Sequence, residues 1–313
     1  MTEIREETRK LQFTGGSTYT ISVPKEWISE MNLKKGDLLT LIRKDDGTIL
    51  ILPYGSKRAT KSEKAVINVF LEDKIDTVLR KVISAYLVGY DRILIKSRDG
   101  ISSNMRGALQ DFTRRMLVGT EIISDSPNEI MLQVLLSYPE LSVKSALRRM
   151  SFIAAYMHED AVNALKNLDR KMAKEVIRMD DEVDRFNHYI IRQLKSVVEG
   201  RITLDKIGLS SPREILGYRL ITKSVERMAD HAVKIAKEAL NLKNRIHPET
   251  IKMICQMSEM ASKVFKDSID SLFKGDYKSA DTAVEEAKKI TKMEREIIKR
   301  ITEKAEPEAG SLR

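Results

Sequence analysis

The residues of this 313-residue chain best placed to do chemistry lie in its later, helical part. The stretch VERMADHAVKIA, residues 225–236, sets Glu226, Asp230 and His231 inside an apolar repeat of helical period. Glu226 and Asp230 are four apart, so they share one helical face, where like charges repel by roughly 0.2–0.5 kcal/mol. A second acidic pair, Asp180 and Asp184, has the same spacing in MDDEVDRFNHYIIRQL. At about 100° per residue, Ile221, Val225, Met228, Ala229, Ala232 and Ala236 form a core stripe with Glu226 and Asp230 on its edge. Asp180 and Asp184 flank the stripe of Val176, Val183, Phe186 and Ile190 in the same way. If the two helices are neighbours, four carboxylates converge at a bundle rim. Oxygen ligands suit a hard or borderline ion such as Fe, Mn, Mg or Zn. Ordinary ion pairing competes with that reading, because Lys234 stands one turn from Asp230. His231 lies about 100° round the helix from Asp230, which predicts a surface or interface residue. His158 is a weaker candidate of the same kind, and His188 and His247 carry no signal.

Helices expected at about 142–168, 170–199, 211–243, 246–275 and 277–305 must position these groups. Ser210-Ser211-Pro212 followed by Glu214 is a start signal, and the short loops imply antiparallel neighbours in a bundle. A repeat runs through these helices. SFIAAYMHEDAVNALKNLDRKMAKEVI superimposes without gaps on SEMASKVFKDSIDSLFKGDYKSADTAV, placing Ser151 on Ser258, Leu165 on Leu272, Asp169 on Asp276 and Ala173 on Ala280, an offset of 107. Repeated hairpins of this kind stack to bury their faces. At that offset, Asp180 and Asp184 fall on Ala287 and Thr291, so one carboxylate set is expected and not two. The partners of Glu226 and Asp230 would fall beyond EPEAGSLR, near where a sixth helix should begin. The second unit is therefore degenerate or the chain is truncated, and the groove left open would favour dimerisation or a docking helix.

Upstream, two smaller segments are expected. In residues 1–58, LQFTG and YTISVP alternate as strands, PKEWISEMNL is a short helix, and DLLTLIRKDDGTILILP is a hairpin around Asp45-Asp46-Gly47. So few large apolar groups make a marginal core that usually needs a partner chain. Residues 59–140 alternate as βαβαββ, a small α/β layer ending in a hairpin over Ser126-Pro127-Asn128. This segment has no Gly-rich phosphate loop and no catalytic set. A connector or a small-molecule sensor fits it.

The order β–turn–β–helix–turn–β–β, with GGSTYTISVPKEW followed by LKKGDLL, resembles the AbrB/SpoVT swapped-hairpin family over about residues 8–53. The resemblance implies two chains interleaved in one small barrel that binds DNA. The matching positions are Arg9, Lys10, Thr14, Ser17, Thr18, Tyr19 and Lys25. Arg and Lys would neutralise phosphates while hydroxyls and turn amides fix register. A barrel that only dimerises the chain fits the same residues. The helices, with ERMADHA as the most specific string, resemble PhoU over about 145–305. That family is two tandem three-helix units that bind metal through E/D-x-x-x-D pairs and modulate phosphate uptake. The resemblance places the metal on Asp180, Asp184, Glu226 and Asp230. An AbrB-like module joined to PhoU helices, residues 141–313, resembles archaeal PhoU-like transcriptional regulators.

Composition narrows the classes further. The net charge of +9 lies mostly in 141–313, because residues 1–58 carry 10 basic and 8 acidic side chains and 59–140 carry 11 of each. A surplus spread over long helices is more often a solvated surface than a nucleic-acid groove, so charge alone does not show DNA binding. The single cysteine, Cys255, excludes an internal disulfide framework and a Cys-based zinc site. With no transmembrane segment and no apolar leader, a cytoplasmic chain is expected. No nucleophile–base pair or catalytic motif points to an enzyme. The expectation is a dimeric DNA-binding regulator of phosphate uptake. The alternative is an adaptor that docks on a phosphate transporter ATPase or a sensor kinase.

Overall fold

The computed structural model describes residues 6–43, 47–54, 64–135 and 141–310. By contacts the chain divides into two units, Met1–Thr60 and Lys61–Arg313.

In the first unit, β1 (Gln12–Thr14) pairs antiparallel with β2 (Thr18–Thr20), in register Gln12↔Thr20, Phe13↔Tyr19 and Thr14↔Thr18. The turn between them needs consecutive left-handed residues, and Gly15 (φ 67°) and Gly16 (φ 76°) supply them. Helix α1 (Lys25–Glu30) starts directly after Pro24, and β3 (Leu39–Arg43) pairs antiparallel with β4 (Ile49–Pro53). The expected hairpin is therefore present, while its tip residues Asp45 and Asp46 lie outside the described residues. Arg9 and Lys10 sit ahead of the ladder rather than in the first strand, because pairing begins at Gln12. Among the described residues of this unit none is buried. Phe13, Tyr19, Leu38, Leu41, Ile49 and Tyr54 are each more than half exposed.

The second unit holds two hydrophobic cores. The first belongs to an α/β layer: β5 (Lys64–Asn68), α2 (Ile75–Val88), β6 (Arg92–Lys96), α3 (Ser103–Met116), β7 (Thr120–Ser126) and β8 (Glu129–Val134). The sheet order is β5-β6-β8-β7, with β5 parallel to β6 and the other pairs antiparallel. Ser102 caps α3 by accepting from Met105 N, and Gly89 ends α2 in the left-handed region.

The second core lies among α4 (Val143–Asn167), α5 (Arg170–Val198) and α6 (Pro212–Asn241), with α7 (Pro248–Lys274) packed on α4 and α8 (Tyr277–Gly310) on α7. Ser211 and Glu214 form a full capping box at α6. The repeat is visible in the caps. Asp169 accepts from Lys171 N and Met172 N at the start of α5, and Asp276, its mate 107 residues on, accepts from Ser279 N. The preceding residue is left-handed in both copies, Leu168 (φ 56°) in one and Gly275 (φ 67°) in the other. Glu159 pairs with Lys266, which is its own repeat mate, where α4 packs on α7.

Several side chains tie the α/β layer to the helices, among them Arg201 on Gly89 O and the Arg115–Asp181 pair, and one makes four such bonds. Arg192 of α5 is fully buried. Its guanidinium donates to the carbonyls of Tyr86 (2.6 Å), Tyr90 (3.0 Å) and Gly89 (3.2 Å) and to Asp91 (2.8 Å). These acceptors surround the C-terminal end of α2, where carbonyls lack helical partners and the dipole favours a cation.

Candidate functional site

The residues expected to meet DNA all stand on the surface of the first unit. Thr14, Ser17 and Thr18 crowd the tip of the β1–β2 hairpin, and Thr14 Oγ1 lies 3.3 Å from Thr20 Oγ1. The Tyr19 ring meets Phe13 across the ladder, with centroids 4.9 Å apart. Arg9 pairs with Glu7, and Lys10 is exposed beside it. Lys25 opens α1. Hydroxyls at a tight turn with cations on the flanking chain are the groups that position a backbone of phosphates.

The carboxylates lie on the seam of α5 and α6, two packed helices. Val176, Val183, Phe186 and Ile190 of α5 and Val225, Ala229, Ala232 and Ala236 of α6 are buried, which leaves Asp180, Asp184, Glu226 and Asp230 half-buried along the edge. Burial is the main cause that pushes the Asp180 carboxyl up to about 6; the charges of Asp230, Asp181 and Glu226 add to it, while Lys237 opposes. Asp184 is pushed up to about 7 by burial first, then by Asp180, Glu226 and Asp230. Each α5 carboxylate therefore feels both α6 carboxylates, and the structure brings the four predicted residues together. As the side chains stand, no three His, Cys, Asp or Glu among the described residues form a ligand set for one ion. The four are close enough to repel and not drawn onto one point.

Their surroundings were only partly anticipated. Glu226 Oε2 touches Lys223 Nζ, one turn earlier, without a hydrogen bond of good angle. Asp181 is held by Arg115 of α3 at 2.7 Å. His188 is hydrogen-bonded to the Met116 backbone, and burial is the main cause lowering its pKa. Asp180, Asp184 and His188 recur every four residues on α5, a signal that places His188 near the seam. His231 is exposed, as its position on the wheel predicts. His158 is buried, with Nε2 2.8 Å from Ser258 Oγ, a pairing between α4 and α7 that sequence reasoning missed. Ser258 sits in the middle of α7, where backbone N–H groups are committed to the helix, so this pair has no oxyanion donors and serves as a tie between helices.

Residues 147–239 and 254–313 match the family described as PhoU domain, and the two matches fall on α4–α6 and α7–α8. The helical half is a PhoU domain. Residues 12–59 match the family described as Antidote-toxin recognition MazE, bacterial antitoxin. The PhoU region also places the chain beside proteins named phosphate-specific transport system accessory protein PhoU homolog. That of Clostridium acetobutylicum is 30% identical over 41% of this chain and 57% of its own length. That of Borreliella burgdorferi is 30% identical over 43% of this chain and 61% of its own. A homolog 1 of Thermotoga maritima is 24% identical over 51% and 70%. The chain thus spans less than two thirds of the first two relatives. No solved structure matches. Among the described residues, no helix is long and apolar enough to cross a membrane.

Proposed function

We propose that this protein is a cytoplasmic, DNA-binding transcriptional regulator of phosphate uptake. A homodimer of the first unit holds the operator, and the PhoU domain responds to metal, phosphate status or a partner. The observation that carries the reading is the joining, in one chain, of a hairpin unit matching the MazE antitoxin family to a PhoU domain. The absence of any buried described residue in residues 6–43 and 47–54 supports the dimer, because a single copy encloses no core.

The donor set of the α5–α6 seam fits a metal. Four carboxylates repel one another, and two of them are held toward the protonated form. A divalent cation would be held by Asp180, Asp184, Glu226 and Asp230, and when bound it supplies the positive charge that the seam lacks. Fe, Mn, Mg and Zn are compatible with such oxygen donors. Single Asn or Gln variants of the four should each lower the metal retained on elemental analysis. Equal content in all of them would remove the site.

The DNA reading predicts tight binding to the chain's own upstream region that weakens steeply with salt. Arg9→Ala with Lys10→Ala should lower the affinity and, with two cations lost from each chain of the dimer, reduce the slope of log K against log salt by about 4. A slope unchanged by the double substitution would place the contacts elsewhere. The alternative, an adaptor docked on a phosphate transporter ATPase or a sensor kinase, draws on the relatives' names. It is favoured if the protein shows no salt-sensitive DNA binding but is retained by such a partner.

A further inference from the structure

The polar row on α5 runs one turn past its carboxylates. Asp180, Asp184 and His188 follow one another every four residues, so they share one face of that helix. The charges of α6 act on them in antiparallel order: Asp230 ahead of Glu226 on Asp180, Glu226 ahead of Asp230 on Asp184, and Glu226 on His188. His188 therefore extends the row beyond Asp184, at the Glu226 end of the seam. Two atoms there are shut off from solvent and have no hydrogen-bond partner, His188 Nδ1 and Glu226 Oε2, the second in contact with Lys223 Nζ. The ring itself is held by its bond to the backbone of Met116, the last residue of α3, where carbonyls lack helical partners. A backbone carbonyl bonded to a histidine ring fixes its tautomer and orientation and makes the other nitrogen a better metal ligand. A histidine that only tied α5 to α3 would need one nitrogen, and the second, buried without a partner, would cost free energy.

We propose that His188 is a nitrogen ligand of the seam and that, with Asp184 and Glu226, it selects a borderline ion such as zinc or iron over magnesium or manganese. The inference rests on the reading of the four carboxylates as a metal site. Imidazole suits zinc, iron and copper, whereas sets made of oxygen alone suit magnesium, calcium and manganese. As the side chains stand, the three are not drawn onto one point. New staggered rotamers of Asp184 and Glu226, both at the edge of the core, are the movement that binding needs. The ring of His188, held by Met116, is the fixed member of the set.

The test titrates the metal-free full chain with zinc and, separately, with manganese, and compares His188→Gln, Asp184→Asn and His231→Gln. His188→Gln should weaken zinc by about tenfold or more and manganese far less, so that the preference for zinc falls. Asp184→Asn should weaken both ions, and His231→Gln neither. In the cobalt-loaded parent, proton NMR should show a far-shifted exchangeable imidazole N–H that His231→Gln keeps and His188→Gln loses. That signal is read first in the parent, so its absence there overturns the inference whether or not the variant folds. Zinc affinity unchanged in His188→Gln while Asp184→Asn loses the ion would also overturn it, and would leave the carboxylate site standing. Equal losses of zinc and manganese in His188→Gln would reduce His188 to a tie between α5 and α3. A parent chain that takes up no metal would remove both the ligand and the site.

Discussion

At the scale of single residues, Asp180 and Asp184 depart from the usual behaviour of surface carboxylates. An aspartate in a salt bridge has a depressed pKa and stabilises the fold as pH rises. Here both carboxyls are raised, to about 6 and about 7, chiefly by burial. From about pH 4 upward the unfolded chain releases these protons while the folded chain retains them. The folded state binds more protons across this window, so metal-free protein should lose stability as pH rises from about 4 through 6 and 7. A urea midpoint that falls between pH 5 and pH 7.5, with the fall mostly removed by Asp184→Asn, is the expected result. A flat profile in the parent would mean that the seam is already neutralised by its lysines. Metal should act in the opposite sense, since ligands must lose protons to bind it, so metal uptake should strengthen over the same interval.

At the scale of elements, helix α5 carries the seam at one end and the Arg192 clamp further along. Arg192→Met keeps much of the volume but removes a charged donor from Tyr90 O, Tyr86 O, Gly89 O and Asp91, of which Gly89 O keeps Arg201 and Tyr86 O keeps Gly89 N. The remaining donors soften the change, so the expected loss is about 2 kcal/mol in urea unfolding, on the scale of one unmet acceptor at roughly 1–3 kcal/mol. Arg115→Ala breaks an exposed pair with Asp181 and should cost no more than about 1 kcal/mol. Equal losses in the two variants would contradict the clamp. What sequence could reveal divides along the same line. The capping box at Ser211, the double glycine turn, the β3–β4 hairpin and the carboxylate edge of α5 and α6 all follow from local pattern or helical period. Arg192 does not, because its partners lie 101 to 106 residues away and no periodicity marks an arginine as an internal cap. His158 and Ser258, 100 residues apart, were hidden for the same reason. The closeness of the α/β layer to the bundle was equally hidden, since alternation predicts each core but not the side chains that join them.

At the scale of the whole molecule, the two units differ in how their stability depends on concentration. The second unit has two cores, each built from residues of one chain. The first leaves Phe13, Leu41 and Tyr54 at 60%, 66% and 69% exposure, more apolar surface than a folded unit of its size retains unpaired. The proposed dimer couples its folding to association, so on that reading each tenfold rise in protein concentration should stabilise it by about 1.4 kcal/mol. Trp27, the chain's single tryptophan, lies on α1 in this unit, so its fluorescence follows the first unit separately from the helices. The Trp27 transition should move to higher temperature with concentration. Leu41→Asp should abolish it along with DNA binding, because a charge on that face cannot be buried against a second copy. The helical signal by circular dichroism should survive the substitution, since no core of the second unit includes Leu41. A Trp27 transition that ignores concentration would mean that the first unit is stable as one chain, and would remove the twofold arrangement that the proposed operator binding needs.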